Sequence, residues 1–256
     1  MRRIVDCRFI DRLRYKSKIC NLQSEIKYHH LFFDLDHTLW DFESNAKATL
    51  KELYTALQLA QKGINDFDLF HKNYLAHNEM LWERYRNGFI RQDELRVKRM
   101  WLTLLDFKIA DEGLAKELSA QFLDLLPTRT ILFPHATEIL QYLIDKGYTL
   151  HLLTNGFEKT QHSKLIYSGL KPFFTEIITS ESSNSLKPSR EIFEFAFERC
   201  CALKDECIMI GDNVDVDIVG AINAGIDQVY VNHLGIEPSV KPTYMVHSLK
   251  ELEEIF

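Results

Sequence analysis

From residue 134 onward, short apolar segments alternate with segments whose apolar residues recur at helical spacing. The short segments YTLHLLT, FTEIITS, CIMIG and QVYVN are predicted to be strands. The segments between and after them are predicted to be helices: PHATEILQYLIDKG, EKTQHSKLIYSGL, KPSREIFEFAFERC, DIVGAINAG and SLKELEEIF. Apolar strands that alternate with helices are typical of a parallel sheet covered on both faces. The pattern therefore predicts an α/β fold with a doubly wound parallel sheet.

Residues 46–129 interrupt this alternation. They contain successive helical patterns, AKATLKELYTALQLA, DFDLFHKNYLAHNEMLWERYRNG, RQDELRVKRMWLTLLDF and DEGLAKELSAQFLDLL, and no convincing strand. We therefore predict an all-helical domain, residues 46–129, inserted into an α/β core that is formed by residues 29–45 and 130–256.

Residues 1–28 are treated as an N-terminal extension of this core. They are basic, but Asp6 and Asp11 interrupt the basic run, and no continuous apolar stretch is present. The segment therefore lacks the pattern of a secretory signal. We predict a disordered arm or an over-extended translation start, with a transit peptide as the alternative, and we expect the segment to be dispensable for activity.

Composition excludes several classes of protein. Hydrophobic residues make up 46% of the 256 residues and the net charge is −6, so nothing indicates binding to a nucleic-acid polymer. No apolar run is as long as the roughly 18 residues that a membrane-spanning helix needs. The cysteines form no CxxC pair, which argues against a disulfide framework or a zinc site and favours reduced thiols in the cytoplasm. They are Cys7, Cys20, Cys200, Cys201 and Cys207.

The segment LFFDLDHTLW (residues 31–40) places two carboxylates directly after an apolar strand. Ligands of an open parallel sheet bind beyond the carboxyl ends of its strands, which is where Asp34 and Asp36 are expected. Aspartates also form turns and cap helices, so this pair alone is a weak signal.

Two further signals follow later strands. Thr154, Asn155 and Gly156 come after YTLHLL and before a helix, where a hydroxyl and free backbone N–H groups can bind an anion. A plain helix N-cap at Thr154 is an equally good interpretation. Lys187 precedes Pro188 near the positive end of a predicted helix, so an anionic partner is expected, unless it is a solvated surface lysine.

The segment CIMIGDNVDVDIVGA brings three carboxylates to the end of one strand. Asp212, Asp215 and Asp217 repel one another unless a cation lies among them. The alternative is that Asp215 and Asp217 only favour the N-terminus of the next helix.

In this order and spacing, the four motifs strand-DxDxT, strand-Thr, Lys-Pro-helix and strand-GDxxxxD resemble those of the haloacid dehalogenase-like hydrolase superfamily, over residues 29–256. The helical residues 46–129 take the position of the C1 cap of that superfamily and are called the cap below. The longer string FFDLDHTLWDFESNA, with LLTNGF and GDNVDVDIVGA, resembles the YjjG-like pyrimidine 5'-nucleotidases.

The resemblance implies roles for the two aspartates of the first motif. Asp34 is expected to be the nucleophile that forms an aspartyl-phosphate, and Asp36 the general acid and base. We expect the neighbouring negative charge of Asp34 to raise the pKa of Asp36 so that it can carry a proton.

The resemblance also implies a Mg²⁺ site and a phosphate site. The expected metal ligands are Asp34, the backbone carbonyl of Asp36 and Asp212, with Asp217 acting through water. Lys187 is expected to neutralise Asp34 and the phosphoryl oxygens. The phosphate is expected to bind Thr154 and the N–H groups of Asn155 and Gly156.

The expected substrate is a small phosphate ester, most of all a pyrimidine nucleoside 5'-monophosphate, and the protein is expected to be a monomer or weak homodimer. A phosphatase of a sugar phosphate or of phosphoglycolate, and a phosphomutase, share the same motifs. A dehalogenase is less compatible with Asp36, because a halide leaves without a proton, and a non-catalytic binding protein is the remaining alternative.

Aromatic residues are the candidates for contact with a base, and Phe42 and Tyr85 are among them. Trp40 and Phe157 directly follow catalytic motifs and are expected to touch substrate. Trp82 and Trp101 have apolar neighbours at helical spacing and are expected to pack in the core. Two polar cap residues are candidates to face the cleft: Asn78 and Arg99.

Overall fold

A computed structural model describes residues 27–256 of the chain. The expectations for residues 1–26 lie outside the described residues. Tyr28 is 5% exposed and its hydroxyl donates a hydrogen bond to Asp227 Oδ2 at 2.8 Å, while Lys27 forms an ion pair with the same carboxylate at 2.5 Å. The structure thus places Tyr28 in the apolar core and not in a separate extension, while the dispensability of residues 1–28 stays a prediction.

The described chain contains a six-stranded sheet in which every pairing is parallel, in the order β3-β2-β1-β4-β5-β6. The strands are β1 (His30–Phe33), β2 (Thr149–Thr154), β3 (Glu176–Thr179), β4 (Cys207–Gly211), β5 (Asp227–Val231) and β6 (Tyr244–Val246). The strands predicted from sequence are thus confirmed, whereas the short β6 was not predicted.

The order of the strands creates a crevice at the carboxyl end of β1. From β1 the chain proceeds to β2 and β3 on one side, and then crosses to β4 on the other side of β1. Phe33 pairs with Leu152 of β2 and with Ile210 of β4, so the ends of all three strands lie at the same level. Such a reversal of strand order is where ligands bind in doubly wound sheets.

The two faces of the sheet bury alternate residues of each strand. On β1, Leu31 and Phe33 belong to one apolar cluster, and Phe32 belongs to a second cluster on the opposite face, all three with no exposed surface. The first cluster includes residues of the cap and of α5 (Ala136–Asp145), and the second includes α8 (Arg190–Cys200) and α9 (Val219–Ala224). The doubly wound α/β fold is therefore confirmed.

Four helices lie between β1 and α5: α1 (Phe42–Ala56), α2 (Phe67–Arg86), α3 (Gln92–Asp106) and α4 (Glu112–Leu125). The side chains of Asp41, Asp66 and Asp111 accept hydrogen bonds from the first turns of α1, α2 and α4, which explains where these helices begin. Because α1 begins at Phe42, it straddles the predicted boundary at residue 46. The division of the chain into core and cap remains an interpretation.

Several predicted helices in the core begin later or have another geometry. Pro134 and Pro188 were expected in first turns, but α5 begins at Ala136 after a left-handed His135 (φ 68°), and α8 begins at Arg190. The segment DIVGAINAG becomes a π-helical turn (Val214–Ile218) followed by α9, and SLKELEEIF contains a 3₁₀-helix (Leu249–Glu254). The helix α6 (Glu158–Tyr167) agrees with its pattern, and a single-turn helix, α7 (Ser180–Ser183), was not predicted. Within residues 27–256, no helix combines the length and apolar character of a membrane span.

Candidate active site

A buried lysine joins the ends of three strands. Lys187, which is 1% exposed, donates hydrogen bonds to Asp34 at 2.7 Å, to Asp217 at 2.6 Å and to the carbonyl of Leu153 at 2.7 Å. The alternative of a solvated surface lysine is therefore wrong, and Lys187 has the anionic partner that was expected. Its contact with Asp34 places a positive charge directly beside the first aspartate of the DxD motif.

Three carboxylates, Asp34, Asp212 and Asp217, form what we call the acidic cluster. One oxygen of each lies within 4.8 Å of the others. Burial, together with mutual repulsion, raises the pKa of Asp34 and of Asp212, although Lys187 opposes the shift at both. Asp215 is exposed and lies outside the cluster. Since three carboxylates share one ammonium group, the cluster carries excess negative charge that a cation can neutralise.

The chemistry of the donor atoms is compatible with Mg²⁺, which prefers oxygen ligands and one or two carboxylates. Asp34 and Asp212 meet at the strand ends, and Thr38 donates to Oδ1 of Asp212 at 2.9 Å, which orients that carboxylate. Asp217 is directly engaged by Lys187. The residues present therefore fit a magnesium site in which Asp34 and Asp212 are the ligands.

Gly211 explains how Asp217 reaches this position. A Cβ atom on Gly211 would lie 2.4 Å from Oδ2 of Asp217, so any side chain would displace that carboxylate. The π-helical turn after Asn213 brings Asp217 back over the strand end, and its Oδ2 accepts a hydrogen bond from the backbone N–H of Asn213 at 3.1 Å. The glycine of the GD motif is thus required by close packing.

The second aspartate of the DxD motif turns away from the acidic cluster. Lys164 donates to Oδ1 of Asp36 at 2.5 Å, and Gln161 donates to Oδ2 at 2.8 Å. Burial raises the pKa of Asp36, but the charge of Lys164 and these two hydrogen bonds outweigh it and hold the pKa below its ordinary value. The expectation that Asp34 raises the pKa of Asp36 is therefore wrong, because its nearest charge is a cation.

Gln161 and Lys164 were not found by sequence reasoning. Both are on α6, three residues apart, and are 1% and 2% exposed. A lysine and a glutamine on one helix face are ordinarily solvent-facing residues. One sequence feature could have indicated them. Both lie in the helix that follows the Thr-Asn-Gly motif, within one to three turns of the predicted anion site.

The loop formed by Thr154, Asn155 and Gly156 has the shape of an anion-binding site, and some of its hydrogen-bond donors are already bonded within the protein. The hydroxyl of Thr154 accepts hydrogen bonds from the Gly156 N–H at 3.1 Å and from Gln161 at 3.2 Å. The side chain of Asn155 instead holds the Lys187 backbone, accepting from its N–H at 2.7 Å and donating to its carbonyl at 2.8 Å. All three loop residues line the same cavity as Asp34.

Trp40 does not contact the cavity, so its expected role in substrate binding is wrong. Its side chain has no exposed surface, and its Nε1 donates to the carbonyl of Arg129 at 3.2 Å. The tight loop after Asp36, in which the N–H of His37 donates to the Trp40 carbonyl at 2.9 Å, turns the ring beneath the site. There the ring packs against Lys164, whose Nζ lies 4.3 Å from its centroid.

A cavity of about 450 Å³ lies above these groups and is also lined by cap residues. Phe157 lines it as expected. Trp82 packs on an apolar cluster that contains Leu81 and Leu95, as predicted, and lines the cavity as well. The two rings stack with centroids 5.3 Å apart at 25°, and Tyr85 packs edge-on against Phe157. Trp101 does pack on the apolar core, as predicted.

The two polar cap candidates, Asn78 and Arg99, both line this cavity. Arg99 donates to Oδ1 of Asn78 at 2.9 Å, and both are at least nine-tenths buried. Phe42 and His37 complete the lining near Asp36. The arrangement therefore combines a buried carboxylate, a cation and a polar group in the cap within one cavity.

Comparison with known proteins places this arrangement in a family. A family model described as haloacid dehalogenase-like hydrolase matches residues 28–225. Pyrimidine 5'-nucleotidase PynA of Streptococcus pneumoniae is 32% identical over 228 residues, covering 88% of this chain and 93% of that protein. Pyrimidine 5'-nucleotidase YjjG of Escherichia coli is 29% identical over 235 residues, covering 90% and 98%.

A crystal structure of the HAD-hydrolase YfnB from Bacillus subtilis, bound to magnesium, has a TM-score of 0.81 and 28% identity, covering 90% of this chain and 98% of that one. Relatives named glyceraldehyde 3-phosphate phosphatase and N-acylneuraminate-9-phosphatase match this chain as well. The family and the resemblance to YjjG-like nucleotidases are thus confirmed. The chain belongs to the haloacid dehalogenase-like hydrolases.

Proposed function

We propose that this enzyme is a Mg²⁺-dependent phosphatase of nucleoside 5'-monophosphates that works through an aspartyl-phosphate on Asp34. The observation that carries the proposal is the position of Asp34, whose side chain is buried at the end of β1 and contacts Lys187 at 2.7 Å within the acidic cluster. A carboxylate held beside a fixed cation, at the mouth of a cavity, is suited to attack phosphorus.

The groups around Asp34 divide the chemical work. Oδ1 accepts the hydrogen bond from Lys187, which leaves Oδ2 to attack. Bound Mg²⁺ would neutralise the negative charge that gathers on the phosphoryl oxygens and on the carboxylates. Thr154 and the Gly156 N–H would bind the phosphoryl group once substrate displaces their mutual hydrogen bond. Catalysis of this kind depends on positioning and electrostatic stabilisation.

Asp36 would transfer protons in both steps. In the second step it accepts a proton from the water that attacks the phosphoenzyme, and its lowered pKa favours this role as a base. In the first step it donates a proton to the leaving oxygen, which requires that Asp36 be protonated and its ion pair with Lys164 be broken. A halide would need no such proton, so Asp36 favours phosphate esters over haloacids.

The nucleotide part of the proposal rests on the cavity and on the relatives. Trp82 lines the cavity and is backed by Phe157, and a base stacked on its free face would gain about 1–3 kcal/mol. The two relatives named pyrimidine 5'-nucleotidase cover most of the chain. A phosphatase of another small ester is the second candidate, because relatives with such names also match.

The test is phosphate release from a panel of esters with Mg²⁺ and with EDTA. The panel contains dUMP, dTMP, dGMP, deoxyribose 5-phosphate, phosphoglycolate and glucose 6-phosphate. We expect pyrimidine nucleotides to have the highest kcat/KM and EDTA to abolish turnover. A sugar phosphate or phosphoglycolate that outperforms every nucleotide would contradict the nucleotide assignment, and conversion of a sugar phosphate to its isomer without phosphate release would indicate a mutase.

A further inference from the structure

Arg99 is a buried cation that has no counter-ion among residues 27–256. It is 3% exposed and lines the cavity. Among the described residues its guanidinium makes one hydrogen bond, from Nη1 to Oδ1 of Asn78 at 2.9 Å, its Nε has no partner, and no carboxylate pairs with it. A buried charge ordinarily has an ionic or fully hydrogen-bonded environment, because desolvation without one is costly.

Two aromatic rings hold the guanidinium in place without supplying an acceptor. Its central carbon lies 5.1 Å from the centroid of Phe122 and 5.8 Å from that of Tyr74. Arg99, Lys164 and Asp36 all line the same cavity. Arg99 is thus rigidly placed within reach of a ligand that also contacts the Asp36 end of the cavity.

Asn78 adds a second donor beside Arg99. Its Oδ1 is occupied by Arg99, which fixes the orientation of the amide, and within residues 27–256 its Nδ2 makes no hydrogen bond. The pair therefore offers guanidinium and amide donors side by side, and Trp82 on the same helix as Asn78 also faces the cavity. Adjacent donors next to an aromatic face are complementary to a flat group with acceptor oxygens.

We infer that Arg99, held by Asn78, recognises acceptor oxygens on the leaving group of the substrate, at its end remote from the phosphate. The carbonyl edge of a pyrimidine ring offers acceptor oxygens that match these donors. A carboxylate on the leaving group would offer the same kind of acceptor. This inference rests on the proposed phosphatase function and specifies which esters the cavity selects. A site built to donate hydrogen bonds rejects analogues that lack the acceptor, since its donors are then left unpaired.

The test compares kcat/KM for four esters in wild type and in Arg99→Met: dUMP, deoxyribose 5-phosphate, 3-phosphoglycerate and phenyl phosphate. We expect Arg99→Met to lower kcat/KM for dUMP by about 10- to 100-fold, the range for a hydrogen bond to a charged donor. Phenyl phosphate and deoxyribose 5-phosphate should change by less than about threefold. The matched control is Arg84→Met, the same replacement at an exposed position of α2.

The four esters distinguish a pyrimidine from a carboxylate as the partner of Arg99. They also distinguish failure of this inference from failure of the proposed nucleotidase function. A selective loss for 3-phosphoglycerate, with no wild-type activity on nucleotides, would assign Arg99 to a carboxylate and contradict only the nucleotide assignment. An equal loss for all four esters would overturn the inference, because Arg99 would then act on the phosphate or on the fold. If no ester turns over, the Kd values for dUMP and deoxyribose 5-phosphate are measured by calorimetry. If the ratio of these two Kd values is the same in wild type and in Arg99→Met, the inference is overturned.

Asn78→Asp provides a second variant that does not depend on tolerance of the arginine replacement. An aspartate at this position would give Arg99 an internal counter-ion, so the melting temperature should rise. The ratio of kcat/KM for dUMP to that for phenyl phosphate should fall by about tenfold, because Arg99 is then engaged within the protein. A purely structural Arg99 predicts the rise in melting temperature with an unchanged ratio, and that result would overturn the inference.

Discussion

Removal of Mg²⁺ should make the stability of this enzyme fall as the pH rises. The pKa of Asp34 and that of Asp212 are each raised to about 8, through burial first and then the neighbouring charges, whereas in the unfolded chain both are near 3.8. A group whose pKa is higher in the folded state binds its proton more tightly there. Its contribution to stability is therefore complete below about pH 4 and is lost as the pH approaches 8.

The magnitude follows from the number of protons involved. Each proton released on unfolding lowers the free energy of unfolding by about 1.4 kcal/mol per pH unit. Asp34 and Asp212 lie within one cluster beside a single lysine and influence each other's titration, so we count one proton for the two carboxylates. Between pH 5 and pH 8 the metal-free protein should then lose about 3 kcal/mol. Bound Mg²⁺ replaces that proton, so the stabilisation by Mg²⁺ should grow by the same amount.

The assay is thermal or urea unfolding at pH 5, 6, 7 and 8, in EDTA and in saturating Mg²⁺. A difference of 3 kcal/mol corresponds to about 6–12 °C in Tm for a chain of this size. Taking the difference between the two conditions removes the contribution of buried histidines. Burial lowers the pKa of these histidines, and they stabilise the fold as the pH rises: His30, His71, His151 and His233.

The control is Asp212→Asn, which removes one ligand and one carboxylate with little change in volume. It should abolish the stabilisation by Mg²⁺ and flatten the pH dependence in EDTA. If Mg²⁺ stabilises the wild-type protein equally at pH 5 and pH 8, or does not stabilise it at all, the acidic cluster does not bind the metal as argued.

Three further substitutions test other parts of the site. Asp36→Asn should slow a nucleotide, whose alkoxide leaving group needs a proton, at least about tenfold more than p-nitrophenyl phosphate, whose leaving group does not; equal losses of kcat would contradict the acid role. Lys164→Met removes the cation that holds the pKa of Asp36 down, so the acidic limb of the pH–kcat profile should move to higher pH; an unmoved limb would show that Asp36 does not limit the rate. Trp82→Ala should lower kcat/KM for dUMP by about tenfold and spare phenyl phosphate, and equal losses would place Trp82 outside the base site.

Three of the residues that sequence reasoning located correctly, Asp34, Thr154 and Asp212, lie at the carboxyl end of a strand. The carboxyl ends of parallel strands converge in any doubly wound sheet. Asp34, Thr154 and Asp212 are therefore brought together by topology alone, and Lys187 reaches the same point from the loop before α8. Their convergence could be predicted without knowledge of side-chain packing.

The residues that were missed or misplaced depend on packing between segments distant in sequence. Lys164 is buried because α6 lies against Asp36 and Trp40, more than a hundred residues earlier in the chain. Trp40 was misplaced, since proximity to a motif says nothing about which way a ring points. The loop after Asp36 directs Trp40 inward, and the position of α2 over the core directs Trp82 into the cavity. The lowered pKa of Asp36 follows from its contact with Lys164, which the sequence does not reveal.

The formation of a phosphoenzyme on Asp34 is the most direct test of the proposed mechanism. The enzyme is mixed with Mg²⁺ and dUMP, quenched in acid during steady-state turnover, digested and analysed by mass spectrometry. The account predicts that the peptide containing Asp34 gains the mass of one phosphoryl group and that hydroxylamine removes this group, as expected for an acyl phosphate. Asp34→Asn should neither gain the phosphoryl group nor release phosphate, and it should keep the wild-type Tm. Phosphate release by Asp34→Asn above a few per cent of the wild-type rate, or a phosphoryl group found on another residue, would contradict it.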